Sequence, residues 1–116
     1  MATVPRSAEA ERHDPLLAEL LGRISEYNPN ADAALIRAAF DYSCLHHKGQ
    51  RRKSGEEFIH HPWGVACICA ELHLDEQTIA AALLHDVVED TDAELDELRA
   101  EVGAEIAQLV EGVTKL

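Results

Sequence analysis

The segment AALLHDVVEDT places four ionisable side chains at the end of an otherwise apolar run: His85, Asp86, Glu89 and Asp90. Residues three or four apart are neighbours on a helix, so these side chains can gather around one helix end. Three carboxylates this close repel one another, and burying one of them unpaired costs on the order of several kcal/mol. A bound divalent cation would explain the cluster. The alternative is a core histidine followed by a solvated acidic face, and the pattern alone does not separate the two.

His61 offers a second imidazole, directly before Pro62, which is expected to open a helix. A side chain at that helix start projects from the helix end into a cleft. Imidazole together with carboxylate suits manganese, iron or zinc. His60 could compete for this role, but the residue directly before the proline is the better placed. The remaining histidines are interpreted as surface or cap residues: His13, His46, His47 and His73.

A short basic cluster lies in an otherwise acidic protein. Lys48, Arg51, Arg52 and Lys53 are close together in a chain of 116 residues with 10 basic and 22 acidic side chains. The surrounding residues 48–60 include two glycines and little periodicity, which predicts a long loop. Ammonium and guanidinium groups bind phosphate, and arginine can do so through two parallel hydrogen bonds. The cluster therefore indicates a small phosphate-rich ligand, the alternative being solvated loop charges.

The overall charge restricts the classes of partner. A net charge of -12 argues against direct nucleic-acid binding and against an anionic membrane surface, because both require basic surface. No apolar run approaches the roughly 20 residues that span a bilayer, and the first dozen residues lack the apolar core of a signal peptide. A cytoplasmic protein is expected.

Helical spacing predicts an all-α domain with no strand. Residues 1–13 are expected to form a disordered tail and residues 14–116 a single folded unit. The predicted helices are 14–27, 31–47, 61–72, 76–88 capped by Asp75, a fifth after a Thr91/Glu94 capping box, and 104–111 after Gly103. The three cysteines, Cys44, Cys67 and Cys69, fall in apolar helical segments and are expected to be buried thiols.

Three motifs that follow one another along the chain are together specific for one family: GQRRKSGEEFIHHP, AALLHDVVEDT and LVEGVTKL. Together they resemble the hydrolase domain of the Rel/Spo family of guanosine tetraphosphate and pentaphosphate enzymes, a branch of the HD superfamily of phosphohydrolases. The similarity covers about residues 27–116. The VVEDT extension distinguishes this branch from other HD proteins.

The resemblance implies an HD-domain helical bundle that hydrolyses a guanine nucleotide. The substrate would be ppGpp or pppGpp, cleaved to GDP or GTP and pyrophosphate in degradation of the stringent-response alarmone. The cofactor would be Mn²⁺ or another divalent metal. Carried over by position, the implied roles are metal ligation by His61, His85 and Asp86, action on the attacking water by Glu89 and Asp90, and substrate contact by Arg52, Lys53 and Ser54.

One feature of the family pattern is missing. In the family an aspartate from a later helix, in a segment resembling DRLHNMR, completes the metal site, and this sequence ends at Leu116 before such a segment. We therefore expect residues 14–116 to be a partial HD domain, truncated at the C-terminus, that is inactive in isolation. Two alternatives stay open: an HD phosphohydrolase acting on another nucleotide, and a catalytically incomplete module that binds nucleotide or has a regulatory role.

Overall fold

The computed structural model describes residues 7–91 and 93–114, and within these ranges every regular element is a helix. The elements are α1 (Ala8–Arg12), α2 (Asp14–Tyr27), α3 (Ala33–His46), α4 (His60–Glu71), α5 (Glu76–Leu84), α6 (Val87–Asp90), α7 (Leu95–Val102) and α8 (Ala104–Thr114). The predicted all-α fold is confirmed. No described helix is long and apolar enough to cross a bilayer.

Helix α5 forms the centre of the fold. Its sequence EQTIAAALL is apolar around most of the helix, and Ile79, Ala80, Leu83 and Leu84 are fully buried. A helix that is apolar on all sides must be enclosed, and α5 packs against α3, α4 and α8. The residues that follow its C-terminal end therefore emerge directly from the core.

Two aspartates begin the helices that flank this core. The Asp32 carboxylate accepts the amide of Leu35 at 3.1 Å at the start of α3, and the Asp75 carboxylate accepts the amide of Thr78 at 2.8 Å at the start of α5. Each bond satisfies an amide that has no partner within its helix. The predicted Asp75 cap is confirmed, and α3 begins two residues later than predicted because Asp32 is its cap.

Contacts between α2 and α4 fix the helix that begins near His61. The indole N–H of Trp63 donates to the carbonyl oxygen of Leu16 at 2.8 Å. Just after the other end of α4, in the segment that leads to α5, the hydroxyl of Tyr27 donates to the carbonyl oxygen of Leu74 at 2.7 Å. Because both ends of α4 are tied to α2, the first turn of α4 has a fixed position relative to the core.

The predicted disordered tail over residues 1–13 is wrong from Ala8 onward, where α1 forms; residues 1–6 lie outside the described part. The hydroxyl of Ser7 caps α1 by accepting the amide of Ala10 at 3.1 Å, and Ala10 is fully buried. So short a helix shows no apolar period and is unstable alone. Its stability comes from tertiary contacts, which the local sequence does not reveal.

The predicted helix 76–88 is interrupted at the residues of chemical interest. α5 ends at Leu84, and α6 begins only at Val87. Asp86 has φ −96° and ψ −8°, outside the regular helical range, and Nδ1 of His85 lies 2.6 Å from the carbonyl oxygen of Ala82. A side chain that bonds a helix carbonyl competes with the backbone, which is a local reason for the break.

The predicted capping box of α7 is also wrong. Thr91 ends α6 instead, since its hydroxyl donates to the carbonyl oxygen of Val87 and accepts the amide of Ala93 at 3.1 Å. Glu94 precedes α7 and makes no side-chain cap bond. The Thr91 hydroxyl caps the preceding helix α6. A Thr91/Glu94 pattern does not reveal whether the threonine caps the preceding or the following helix.

Candidate metal centre

His61, His85 and Asp86 converge at the point where α5 ends and α4 begins. Nε2 of His85 lies 3.0 Å from Oδ2 of Asp86, and Nε2 of His61 lies 3.3 Å from the same oxygen. The two imidazole rings meet at 62° with centroids 5.5 Å apart. Residues 24 positions apart in sequence therefore present three ligand-type atoms to one small volume.

The orientation of His85 places the lone pair of its Nε2 against the carboxylate of Asp86. Nδ1 faces a carbonyl oxygen, that of Ala82, so Nδ1 carries the proton of a neutral ring. Nε2 then presents a lone pair to the carboxylate of Asp86, which also accepts. Either a second proton or a cation must lie between them. Metal-ligating histidines commonly donate their other nitrogen to a backbone carbonyl in this way.

The spacing of these atoms fits a shared divalent cation. Nitrogen and oxygen ligands bind transition metals at about 2.0–2.2 Å, so neighbouring ligand atoms lie about 3.0–3.5 Å apart in octahedral or tetrahedral sites. The separations of 3.0 and 3.3 Å at Asp86 match that range. All three side chains are half-buried, which leaves room for water and substrate as further ligands.

His61 and His60 make different contacts although they are adjacent. Nη1 of Arg52 lies 3.3 Å from Nδ1 of His61, whereas Nδ1 of His60 faces the carbonyl oxygen of Glu57 at 3.2 Å. The His60 ring packs edge-on against His13, 6.1 Å away. Of the two, His61 belongs to the three-residue cluster, in agreement with the placement expected from sequence.

Glu89 and Asp90 are exposed and lie outside the three-residue cluster. The break in the helix separates them from the continuous helical face on which all four side chains were expected to gather. The amide of Asp90 donates to the carbonyl oxygen of Asp86 at 2.8 Å, so α6 follows directly from the cluster. Their action on water stays a prediction.

The basic loop between α3 and α4 is held in a tight turn by its own backbone. The amide of Arg52 donates to the carbonyl oxygen of Glu56 at 2.9 Å, and the amide of Gly55 donates to that of Arg52 at 2.8 Å. Gly55 has φ +89°, which favours glycine. Lys53 and Ser54 are exposed at this turn. The loop therefore presents its basic groups to solvent, and their contact with substrate stays a prediction.

A second group of potential ligands lies beside α1: Glu9, His13 and Glu57. Its spacing would suit a metal, but the guanidinium of Arg12 donates to both carboxylates. A protein cation therefore already neutralises this group. We interpret it as an ion-pair cluster that attaches α1 to the basic loop.

Two of the histidines predicted at the surface or at helix caps are buried. His13 and His47 do occupy helix ends, but their exposed fractions are only 7% and 3%. The predicted surface or cap position is confirmed for both as caps, and they are buried because His13 lies beside Glu57 and the His47 ring stacks on Phe58. Their burial was not predicted, because Glu57 and Phe58 reach them from the far end of the basic loop. Cys44 and Cys67 are buried as predicted, whereas Cys69 is half-buried.

Comparison with known proteins decides the family. The HD domain family model matches residues 39–116, which include the basic loop and all three candidate ligands. The chain belongs to the HD domain family. The resemblance drawn from the three sequence motifs is thereby confirmed at the level of the domain.

The relatives of this HD domain are named as GTP pyrophosphokinases or as a (p)ppGpp synthase/hydrolase. It is 47% identical over 84% of its length to a GTP pyrophosphokinase rsh of Brucella melitensis, and 48% identical over 91% to a GTP pyrophosphokinase of Myxococcus xanthus. It is also 47% identical over 80% of its length to the bifunctional (p)ppGpp synthase/hydrolase SpoT of Escherichia coli. The chain spans 13% of the length of each of these proteins.

Proposed function

We propose that this HD domain supports metal-dependent hydrolysis of ppGpp or pppGpp to GDP or GTP and pyrophosphate. The observation that carries the proposal is the convergence of His61, His85 and Asp86 within hydrogen-bond distance at one helix break. The name of the relative from Escherichia coli includes both synthesis and hydrolysis of this nucleotide. Hydrolysis is favoured because imidazole and carboxylate ligands hold the kind of cation that activates water.

His61, His85 and Asp86 would hold the cation, with Mn²⁺ as the proposed metal. A divalent cation bound there would lower the pKa of a bound water and polarise phosphoryl oxygens. The carbonyl of Ala82 keeps the proton of His85 on Nδ1 and leaves Nε2 for the metal. Arg52 donates only, so its contact with Nδ1 of His61 gives way when that nitrogen carries a proton.

The remaining groups would act on water and on phosphate. Glu89 and Asp90 are exposed carboxylates next to the cluster, and one of them can accept the proton that the attacking water loses. Arg52, Lys53 and Ser54 lie on the loop beside His61, where a guanidinium, an ammonium and a hydroxyl can hold the diphosphate arms. The charge of the loop thus complements a substrate with two diphosphates.

Release of pyrophosphate by the full-length protein tests this function. We expect Mn²⁺-dependent release from ppGpp, and loss of release in His85→Ala and in Asp86→Ala. Normal activity in both variants would contradict the assignment. A panel that includes nucleotides without a 3′ diphosphate separates the alternatives: preference for such a nucleotide would indicate another HD phosphohydrolase, and nucleotide binding without turnover would indicate a regulatory module.

A further inference from the structure

His47 lies buried behind the candidate metal centre, at the end of α3. Its ring stacks on Phe58 with centroids 4.5 Å apart and an angle of 25°. The same Phe58 meets His61 edge-on, with centroids 6.0 Å apart. One aromatic ring therefore separates the buried His47 from a candidate metal ligand.

Gln50 connects His47 to the opposite side of the centre. Nδ1 of His47 lies 3.0 Å from Oε1 of Gln50, and Nε2 of Gln50 donates to the carbonyl oxygen of Asp90 at 2.7 Å. A carbonyl can only accept, so the amide nitrogen of Gln50 must face Asp90. Its oxygen is left to accept from His47, which places the imidazole proton on Nδ1. The two bonds thus form a directional relay from His47 through Gln50 to Asp90.

This relay contacts α6, a helix too short to be stable without such contacts. Helix α6 has only four residues, and a helix that short is unstable without external contacts. Within the described part, the amide of Asp90 bonds the carbonyl oxygen of Asp86 at 2.8 Å, while its own carbonyl receives Gln50. Asp90 is therefore fixed between a candidate metal ligand and the start of the basic loop.

His47 is kept at a cost to stability. Its Nε2 is buried and has no hydrogen-bond partner among the described residues. An unsatisfied buried nitrogen is unfavourable, and an apolar side chain would avoid that cost. Burial also lowers the pKa of His47, which keeps the ring neutral with a single donor. Replacement of His47 by an apolar residue would remove the Nδ1 donor that orients Gln50.

We propose that His47 and Gln50 are positioning residues that fix α6, with Glu89 and Asp90, relative to His61 and Asp86. Neither residue is assigned a contact with substrate or metal. The proposal rests on the proposed function only for the catalytic role of the Glu89 and Asp90 carboxylates. The relay itself can be tested without turnover.

Three variants of the whole chain separate the two bonds. Gln50→Glu keeps the size of the side chain and an oxygen for His47, but it replaces the donor to Asp90 by a second acceptor. His47→Asn retains an amide nitrogen where imidazole has Nδ1, and His47→Leu removes it. Gln50→Glu is the decisive variant, because Gln50 is only half-buried and its replacement leaves the core intact.

Amide hydrogen exchange at Asp90 is the primary measurement, with the amide of Asn28 as reference. The Asn28 amide donates to the carbonyl oxygen of Ile24 at 2.8 Å, in a helix that the relay does not touch. We expect exchange at Asp90 to be about tenfold faster in Gln50→Glu and in His47→Leu, and close to wild type in His47→Asn, with Asn28 unchanged in Gln50→Glu. An unchanged Asp90 rate in Gln50→Glu, or an equal increase at both amides, would overturn the proposal.

Steady-state kinetics of the full-length protein provide the second readout. We expect Gln50→Glu to lower kcat by about tenfold while KM and Mn²⁺ affinity stay near wild type, because the relay acts on carboxylate orientation. A rise in KM alone would contradict this assignment. If the wild-type protein releases no pyrophosphate, the proposed function fails, and the exchange rates at Asp90 still decide the relay.

Discussion

Arg12 donates hydrogen bonds to both carboxylate oxygens of Glu57, from Nη1 to Oε2 at 3.2 Å and from Nη2 to Oε1 at 2.6 Å. Glu57 lies in the basic loop, where an isolated antiparallel bridge pairs it with Arg51. Nε2 of the buried His13 lies 3.1 Å from the same carboxylate. Helix α1 therefore restrains the loop that we assign to phosphate binding.

The first prediction concerns the acid stability of this contact. The Arg12 hydrogen bonds lower the pKa of Glu57 below its ordinary value. A carboxyl whose pKa is lower when folded adds stability above its unfolded pKa, and that stability is lost as the pH falls through the folded pKa. We expect Glu57→Gln to have a lower Tm than the wild type at neutral pH. The difference in Tm should shrink as the pH falls below the ordinary glutamate range. Thermal unfolding across pH checks this, and a pH-independent difference would contradict it.

The second prediction concerns the attachment of α4. Trp63→Phe keeps an aromatic ring against the core but removes the N–H that bonds the carbonyl oxygen of Leu16. We expect a loss of about 1 kcal/mol in the free energy of unfolding, the typical contribution of one such bond. Urea denaturation measures it. Stability equal to wild type would show that the indole bond does not hold α4 to α2.

The sequence was sufficient for elements with a strong local signal. The apolar run of α5, the Asp75 cap and the glycine before α8 are each encoded within a few residues, and the structure contains all three. The residues alone made His61, His85 and Asp86 candidates, and the resemblance to the Rel/Spo hydrolase domain implied that they are ligands of one metal. The structure places their ligand atoms within 4.8 Å of one another.

Features that depend on distant contacts were not predictable in this way. Helix α1 is stabilised through Glu57, which is 45 positions away from Arg12, and no spacing rule links them. The break at His85 and Asp86 depends on a side-chain bond to Ala82 that competes with the helix backbone. The burial of His47 depends on Phe58 stacking over it from the far end of the loop. In each case tertiary structure outweighs the local pattern.

The third prediction separates the two neighbouring arginines of the basic loop. Nη1 of Arg51 donates to the carbonyl oxygen of Gly55 at 2.9 Å, whereas Arg52 lies against His61 at the candidate metal centre. We expect Arg52→Gln to weaken ppGpp binding by about tenfold or more, because a bond to a charged phosphate contributes about 1.5–3 kcal/mol. Arg51→Gln is the matched control with a smaller effect.

Equilibrium binding of ppGpp to the full-length protein measures the difference between the two variants. Each substitution removes the same charge, so a general electrostatic attraction would weaken binding equally in both. Equal losses would therefore contradict a specific role for Arg52.

The fourth prediction concerns which histidine beside Pro62 holds the metal. His60→Ala and His61→Ala remove identical side chains from adjacent positions, but only His61 lies within 3.3 Å of Asp86. We expect His60→Ala to bind Mn²⁺ as wild type does and His61→Ala to lose affinity by at least about tenfold. The removal of a ligand, rather than a change in local stability, explains such a difference because both residues lie in the first turn of α4.

Calorimetric titration of the full-length protein with Mn²⁺ tests the metal centre most directly. We expect one ion bound per chain at this site by the wild type and by His60→Ala, and strongly weakened binding in His61→Ala and in Asp86→Asn. Absence of Mn²⁺ binding in the wild type, or the same affinity in His60→Ala and His61→Ala, would contradict the assignment of His61, His85 and Asp86 as one metal site.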